Sequence, residues 1–345
     1  MDARRIIESL RSTFPSRLMS IDSHTAGEPT RLIIGGIDPI PSTTMKAKRE
    51  YLKNHLDHIR RLLTREPRGH RGIMAALLTE PTTQGAEFGL IFMDARRYPF
   101  LCGHATIGAV SALNEAGVLA IEQPDTTIIV DTPSGPMETI VRVQNGKVES
   151  VAIKMVPSFV YSTDQMLNLP GVGSILTDTV CVGGFFIMVS AEQIGLDLIP
   201  ENSSSLIETG MALIDAANQQ LSVRHPTRPE VKTVDVVEFY DPSRHSENKG
   251  SNIVVYGESH MDRSPCGTGT AAQMTLLHHN KQLPVGQLFI NQSPLGTTFE
   301  GRIVAETRVG DLEAVVTEIR GSAQITGIHE FVLDPQDPFP EGFLL

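Results

Sequence analysis

Two short segments, nearly half the 345-residue chain apart, open with the same Cys-Gly pair and continue into apolar, helix-compatible sequence. The first reads Cys102-Gly103-His104-Ala105-Thr106-Ile107-Gly108-Ala109, and the second Cys266-Gly267-Thr268-Gly269-Thr270-Ala271-Ala272. That spacing predicts a duplicated architecture in which each half places one thiol at the start of a helix. Both helices, His104–Glu115 and Gly269–Asn280, are rich in Ala and aliphatics and poor in charge. Such a composition suits a helix enclosed on nearly all sides. Each half is therefore expected to wrap strands around one central helix.

The remainder of the chain supplies those strands. Arg31–Ile34, Phe88–Phe92, Thr127–Val130 and Val151–Ile153 read as short β runs in the first half, and Val234–Phe239, Asn252–Tyr256 and Gly301–Val304 in the second. Turns at Pro133-Ser134-Gly135 and Asn145-Gly146 separate them. With aromatics at 5% and no Trp, the core has to be mostly aliphatic. Two further segments carry helical periodicity: Lys46–Thr64, expected as one amphipathic helix, and Ser203–Gln220.

A chain of this length fits two domains. The division is expected near Val156-Pro157-Ser158, giving an N-terminal domain 1–157, joined by the segment 328–345, and a C-terminal domain 158–327. With no linker visible, the site is expected between them. The net charge of −11 argues against a nucleic-acid or membrane-surface partner. Three cysteines do not make a disulfide scaffold, the N-terminus lacks the apolar run of a signal peptide, and no apolar stretch could span a bilayer. The expectation is a cytoplasmic protein with reduced thiols.

A thiol at a helix N-terminus is expected to have its pKa lowered by free backbone N–H groups and the helix dipole. Gly103 and Gly267 permit close backbone approach to a ligand, His104 adds a proton-handling side chain, and Thr268 or Thr270 can cap the helix or bind a substrate oxygen. Asp262, four residues before Cys266, is placed to receive a cation. Two such thiols could act as acid and base on opposite sides of one carbon. No Lys follows the glycines, so a phosphate loop is not indicated, and no Cys/His set has zinc spacing.

Together with Ile21–Thr30, Glu66–His70, Phe88–Asp94, Leu169–Gly173, Lys232–Asp235 and Gly321–Gly327, these segments resemble the proline racemase family, which includes hydroxyproline 2-epimerases and trans-3-hydroxyproline dehydratases. The resemblance covers nearly the whole chain. It implies an α/β fold of the diaminopimelate epimerase type: two similar domains, each a β-barrel around a central helix. It implies an isomerase needing neither pyridoxal phosphate nor a metal, with a small imino acid as substrate and a homodimer as assembly. Cys102 and Cys266 would be the catalytic acid/base pair. Backbone amides of Gly103, His104, Gly267 and Thr268 would hold the substrate carboxylate, while Asp262 and His104 would contact its ring nitrogen. The dehydratases carry Thr in place of the second cysteine, so Cys266 favours racemisation or epimerisation. Proline is the expected substrate; 4-hydroxyproline or 3-hydroxyproline epimerisation, dehydration, and non-catalytic imino-acid binding are the alternatives.

Other residues invite weaker readings. Cys181 lies in an apolar run and is expected to be buried and inert. His24 and Glu28 are expected in supporting roles. Glu66, Arg68 and His70 would either shape the pocket wall or form an internal salt bridge, and Phe88, Phe100, Tyr240 and Phe289 are candidates for the ring pocket.

Overall fold

The computed structural model describes residues 2–119, 121, 125–257 and 259–345, with the side chain of residue 244 outside the description. The chain has an α/β fold and divides into two compact units: Met1–Thr25, Pro29–Glu149 and Ala323–Leu345 in the first, Ala26–Glu28 and Ser150–Ser322 in the second. The passage between them falls at Glu149/Ser150, inside a strand, rather than near 157.

The first unit begins with helix α1 (Ala3–Thr13), N-capped by Asp2 and burying none of its residues. Strands β1 (Arg17–Thr25) and β2 (Glu28–Gly35) follow, then helices α2 (Met45–His55) and α3 (Asp57–Thr64). The single helix expected over Lys46–Thr64 is thus two. Leu56 leaves helical geometry (φ −128°, ψ 20°), and Asp57 opens a second helix, pairing with Arg60 at 2.7 Å and Arg61 at 3.1 Å. A carboxylate in a first turn favours a helix start there.

Strand β3 (Met74–Thr79) pairs in parallel with β2, and β4 (Phe88–Met93) pairs antiparallel with β3. Helix α4 (Gly103–Glu115) has ten consecutive buried residues from His104 to Leu113. Its close seat depends on Gly108, where a Cβ would stand 2.8 Å from Ser23 Oγ. Strands β5 (Asp125–Thr132) and β6 (Gly135–Gln144) form a hairpin through the expected Pro133–Gly135 turn.

In β7 (Lys147–Lys154) the chain enters the second unit, which continues through β8 (Ser158–Leu169), β9 (Gly173–Val182), β10 (Gly184–Ser190), α5 (Ala191–Ile194), α6 (Ser203–Gln220), β11 (Val234–Tyr240), β12 (Lys249–Tyr256), β13 (His260–Met261), α7 (Gly267–His279), β14 (Phe289–Gln292), β15 (Thr298–Val309) and β16 (Leu312–Gly321). Successive pairings run β8–β9–β10–β11–β12–β14–β15–β16, and β16 returns to β8 through Val315 and Ser158. This is a closed barrel of eight strands. Helix α7 packs against β8, β9, β15 and β16 and buries nine consecutive residues, Gly269–Leu277. Phe289 and Phe299 are essentially unexposed; each such burial stabilises by about 1.5–3 kcal/mol. Helix α6 covers β11 through Leu206, Leu213 and Ala217.

The chain then returns to the first unit as β17 (Ala323–Val332), antiparallel to β1 from Thr25↔Ala323 to Arg17↔Val332. Among the described residues no helix is long and apolar enough to cross a membrane.

Candidate active site

Each thiol sits immediately before the first turn of a buried helix. Cys102 precedes α4 in extended backbone (φ −147°, ψ 112°). Its Sγ lies 3.4 Å from His104 Nδ1 and 3.7 Å from Nε2, and both side chains are buried. The Cys102 carbonyl accepts two bonds from Thr106, one from its N–H at 3.1 Å and one from its hydroxyl at 2.9 Å. Thr25 on β1 donates its hydroxyl to the His104 carbonyl at 2.8 Å, fixing that turn from the sheet side.

Cys266 precedes α7 in a different conformation, with φ +57° and ψ 119°. A residue bearing a Cβ adopts such a backbone at a cost of about 1–3 kcal/mol, and such strain gathers at functional sites. The Sγ lies 3.3 Å from Thr268 Oγ1 and accepts the Gly269 N–H at 3.4 Å. Thr270 repeats the role of Thr106: its N–H donates to the Cys266 carbonyl at 2.8 Å and its hydroxyl to the Pro265 carbonyl at 3.1 Å. The two sites therefore share a thiol, a polar side chain two residues on, and a threonine four residues on.

The approach to Cys266 is held by side chains. Buried Asp262 accepts Ser264 N–H at 2.8 Å and Ser264 Oγ–H at 2.7 Å, and Ser264 Oγ accepts the Cys266 N–H at 3.1 Å. Glu28, also buried, accepts the Arg263 N–H at 2.8 Å and lies 3.0 Å from His260 Nε2. Its supporting role is thus to anchor the strand and loop that lead into Cys266.

Electrostatics correct one expectation. Burial, followed by the negative charge of Asp262, pushes the Cys266 thiol well above its ordinary range, while Thr268 and the Gly269 N–H pull the other way. Two donors at a helix start do not offset the cost of enclosing a thiolate away from water. Enclosure thus favours the protonated thiol at Cys266.

A family profile described as "Proline racemase" matches residues 20–344. The chain belongs to the proline racemase family. It is 44% identical over 332 residues to the proline racemase of Clostridioides difficile, covering 96% of this chain and 99% of that one. It is 40% identical to a 4-hydroxyproline 2-epimerase of Streptosporangium roseum, covering 94% and 98%. Among solved structures, a hydroxyproline epimerase from Agrobacterium vitis with bound trans-4-hydroxy-L-proline superposes with a TM-score of 0.87 at 30% identity, over 96% of each chain. These family relatives are isomerases of amino acids.

Of the Glu66–His70 segment, Arg68 forms an internal salt bridge. Arg68 pairs with Asp337 and donates to the Phe339 carbonyl at 3.2 Å; Glu66 exchanges backbone hydrogen bonds with Phe343; and His70 Nδ1 accepts the Gly72 N–H. Together, Glu66 and Arg68 fasten the C-terminal segment within the first unit. Cys181 lies fully buried in β9, its thiol pushed up to about 12 by burial. Phe289 is a core residue, and Phe100 lies half exposed beneath the Arg49 guanidinium, 3.9 Å from its ring centre. Motif reasoning singled out Thr270 but not Ser264 or Thr106, although the repeated Cys-x-x-x-Thr spacing pairs Thr106 with Thr270.

Proposed function

We propose that the chain racemises proline at Cα, with Cys102 and Cys266 serving in turn as base and acid on opposite faces of the ring. The observation that carries this reading is the matched environment of the two thiols, each buried before a helix and each 3.3–3.4 Å from a polar side chain two residues on, in a chain of this family.

One thiolate takes the Cα proton, so the C–H bond breaks and an S–H bond forms. The electron pair left on Cα delocalises into the carboxylate, where amides of Gly103, His104, Gly267 and Thr268 are the donors. A preorganised donor of this kind is worth about 2.7–4 kcal/mol. The opposite thiol then gives its proton to the other face of Cα and becomes the thiolate for the reverse turnover. The protonated Cys266 thiol suits the acid role in one direction. Buried Asp262, fixed by Ser264, would face the protonated ring nitrogen and His104 would share that contact.

A second reading, epimerisation of 4-hydroxyproline, is supported by 40% identity to an enzyme of that name. The test is a heavy-water screen of L-proline, trans-4-hydroxy-L-proline and trans-3-hydroxy-L-proline by polarimetry and proton NMR. Deuterium entry at Cα of L-proline with loss of rotation is expected, and each of Cys102→Ala and Cys266→Ala should lower the rate by roughly 10²–10⁴-fold. Near-full racemisation by either single variant would exclude the two-base scheme. Faster turnover of the 4-hydroxy substrate would select the second reading.

A further inference from the structure

Behind the first turn of α7 lies a carboxyl that the acid/base scheme leaves unused. Glu238 on β11 is completely buried. Its Oε1 accepts the Asn252 Nδ2–H at 2.8 Å, and among the described residues its Oε2 has no hydrogen-bond partner. Among the described residues no Lys, Arg or His pairs with it, and burial favours the neutral acid over the carboxylate. Helix α6, on the other face of β11, presents Leu206, Leu213 and Ala217 and keeps Glu208 and Asp215 exposed. Strand β10 carries no charged residue, and the one cation on β12, Lys249, pairs with Glu247.

The contacts of Glu238 lead to Cys266. Glu238 stands opposite Val254 in the β11–β12 register, and Asn252 lies two residues along the same face. That face meets α7 at Gly269. A Cβ there would lie 2.7 Å from Val254 Cγ2, 3.1 Å from Asn252 Nδ2 and 3.1 Å from Cys266 Cβ. Gly269 thus fills the narrow gap between the Asn252 amide and Cys266, and its N–H is the one donated to the thiol.

We propose that Glu238 is a positioning residue for Cys266: it holds the Asn252 amide against the first turn of α7, and its ionisation is coupled to that of the thiol. This rests on Cys266 being an acid/base group in the proposed reaction. Cys266 has to carry a negative charge once in each turnover cycle, and Asp262 already opposes that charge. Two neighbouring acids titrate as a pair, so loss of the Glu238 proton makes the next ionisation harder. An ionised Glu238 would add a second negative charge beside Asp262 and hold the thiol protonated to higher pH, which a neutral Gln cannot do.

Iodoacetamide modification reads the thiolate without requiring turnover. In the full chain, the pH midpoint for alkylation of Cys266, followed by peptide mass spectrometry, should fall by about one unit in Glu238→Gln, a roughly tenfold faster reaction below the midpoint. The Cys102 curve should stay in place. A folded Glu238→Gln protein with an unmoved Cys266 midpoint overturns the proposal. Infrared spectroscopy of the unsubstituted protein gives an independent reading. A protonated carboxyl stretch is expected at neutral pH and should shift on alkylation of Cys266; no such band, or one that does not respond, overturns the proposal as well. Absence of racemisation in the unsubstituted enzyme would count against the proposed function and leave the alkylation result standing.

Discussion

The carboxylate of Glu28 accepts the backbone N–H of Arg263 at 2.8 Å, so a residue 235 positions earlier in the chain fixes the segment that carries Asp262 and leads into Cys266. With only 1% exposure, Glu28 has little access to water as a substitute partner.

Glu28→Gln keeps the size of this side chain and removes its charge. The donors of His260 and Arg263 then face a weaker acceptor, and buried donors left poorly satisfied cost about 1–3 kcal/mol. Urea unfolding should show a stability loss of this size, accompanied by reduced kcat. A variant as stable and as active as the parent would show that the anchor is dispensable.

Backbone strain at Cys266 makes the two cysteines respond oppositely to glycine. At Cys266, with φ +57°, glycine relieves strain, and Cys266→Gly should be more stable than Cys266→Ala by about 1 kcal/mol. At extended Cys102 the entropic cost of glycine dominates, and Cys102→Gly should be less stable than Cys102→Ala by roughly 0.5–1 kcal/mol. Denaturant midpoints of the four variants check this. The same order at both positions would count against the strained geometry.

Ser264→Ala removes the hydroxyl that donates to Asp262 and accepts the Cys266 N–H. Each lost bond is worth about 0.5–1.5 kcal/mol, so kcat/KM should fall by roughly 5- to 100-fold. The increase should appear mainly in KM if Asp262 holds the substrate nitrogen. An effect on kcat alone would place Asp262 outside substrate binding.

Cys181 predicts an alkaline limit to stability. Burial raises its pKa from an ordinary value near 9 to about 12, so the folded chain keeps a proton that the unfolded chain releases. Its contribution is complete below pH 9 and is lost as pH rises toward 12, at about 1.4 kcal/mol per pH unit. Unfolding free energies measured at pH 8 and at about pH 10.5 should converge between the parent and Cys181→Val. Parallel pH dependences would remove Cys181 as the cause.

The parts of the fold written in local pattern were legible. Ser203–Gln220 has helical periodicity and appears as α6 with those limits, and both post-cysteine helices begin within two residues of the positions read from sequence. Lys46–Thr64 misled because apolar spacing continues across Leu56, whereas Asp57 starts a new helix through ion pairs that periodicity does not register. The cysteines declared themselves through repeated neighbours. Their conformational difference did not, because a left-handed backbone normally announces itself with Gly or Asn and here carries Cys266. The depressed thiol pKa expected from the helix terminus also failed for Cys266, since enclosure depends on strands distant in sequence. Glu28 with Arg263, and Glu238 with Asn252, are partners through tertiary contact rather than spacing.

The pairing of β1 with β17 sets an order of events during synthesis. Arg17–Thr25 leaves the ribosome well before the strand it pairs with, Ala323–Val332. Domains commonly fold as they emerge, N-terminal first, and long-range β pairing is slow. Here the second unit, Ser150–Ser322, has its barrel strands available sooner, while the first unit keeps an unpaired edge of β1 until β17 has followed. The first unit is thus completed only after the second has been made, and the open edge of β1 stays available for pairing until then.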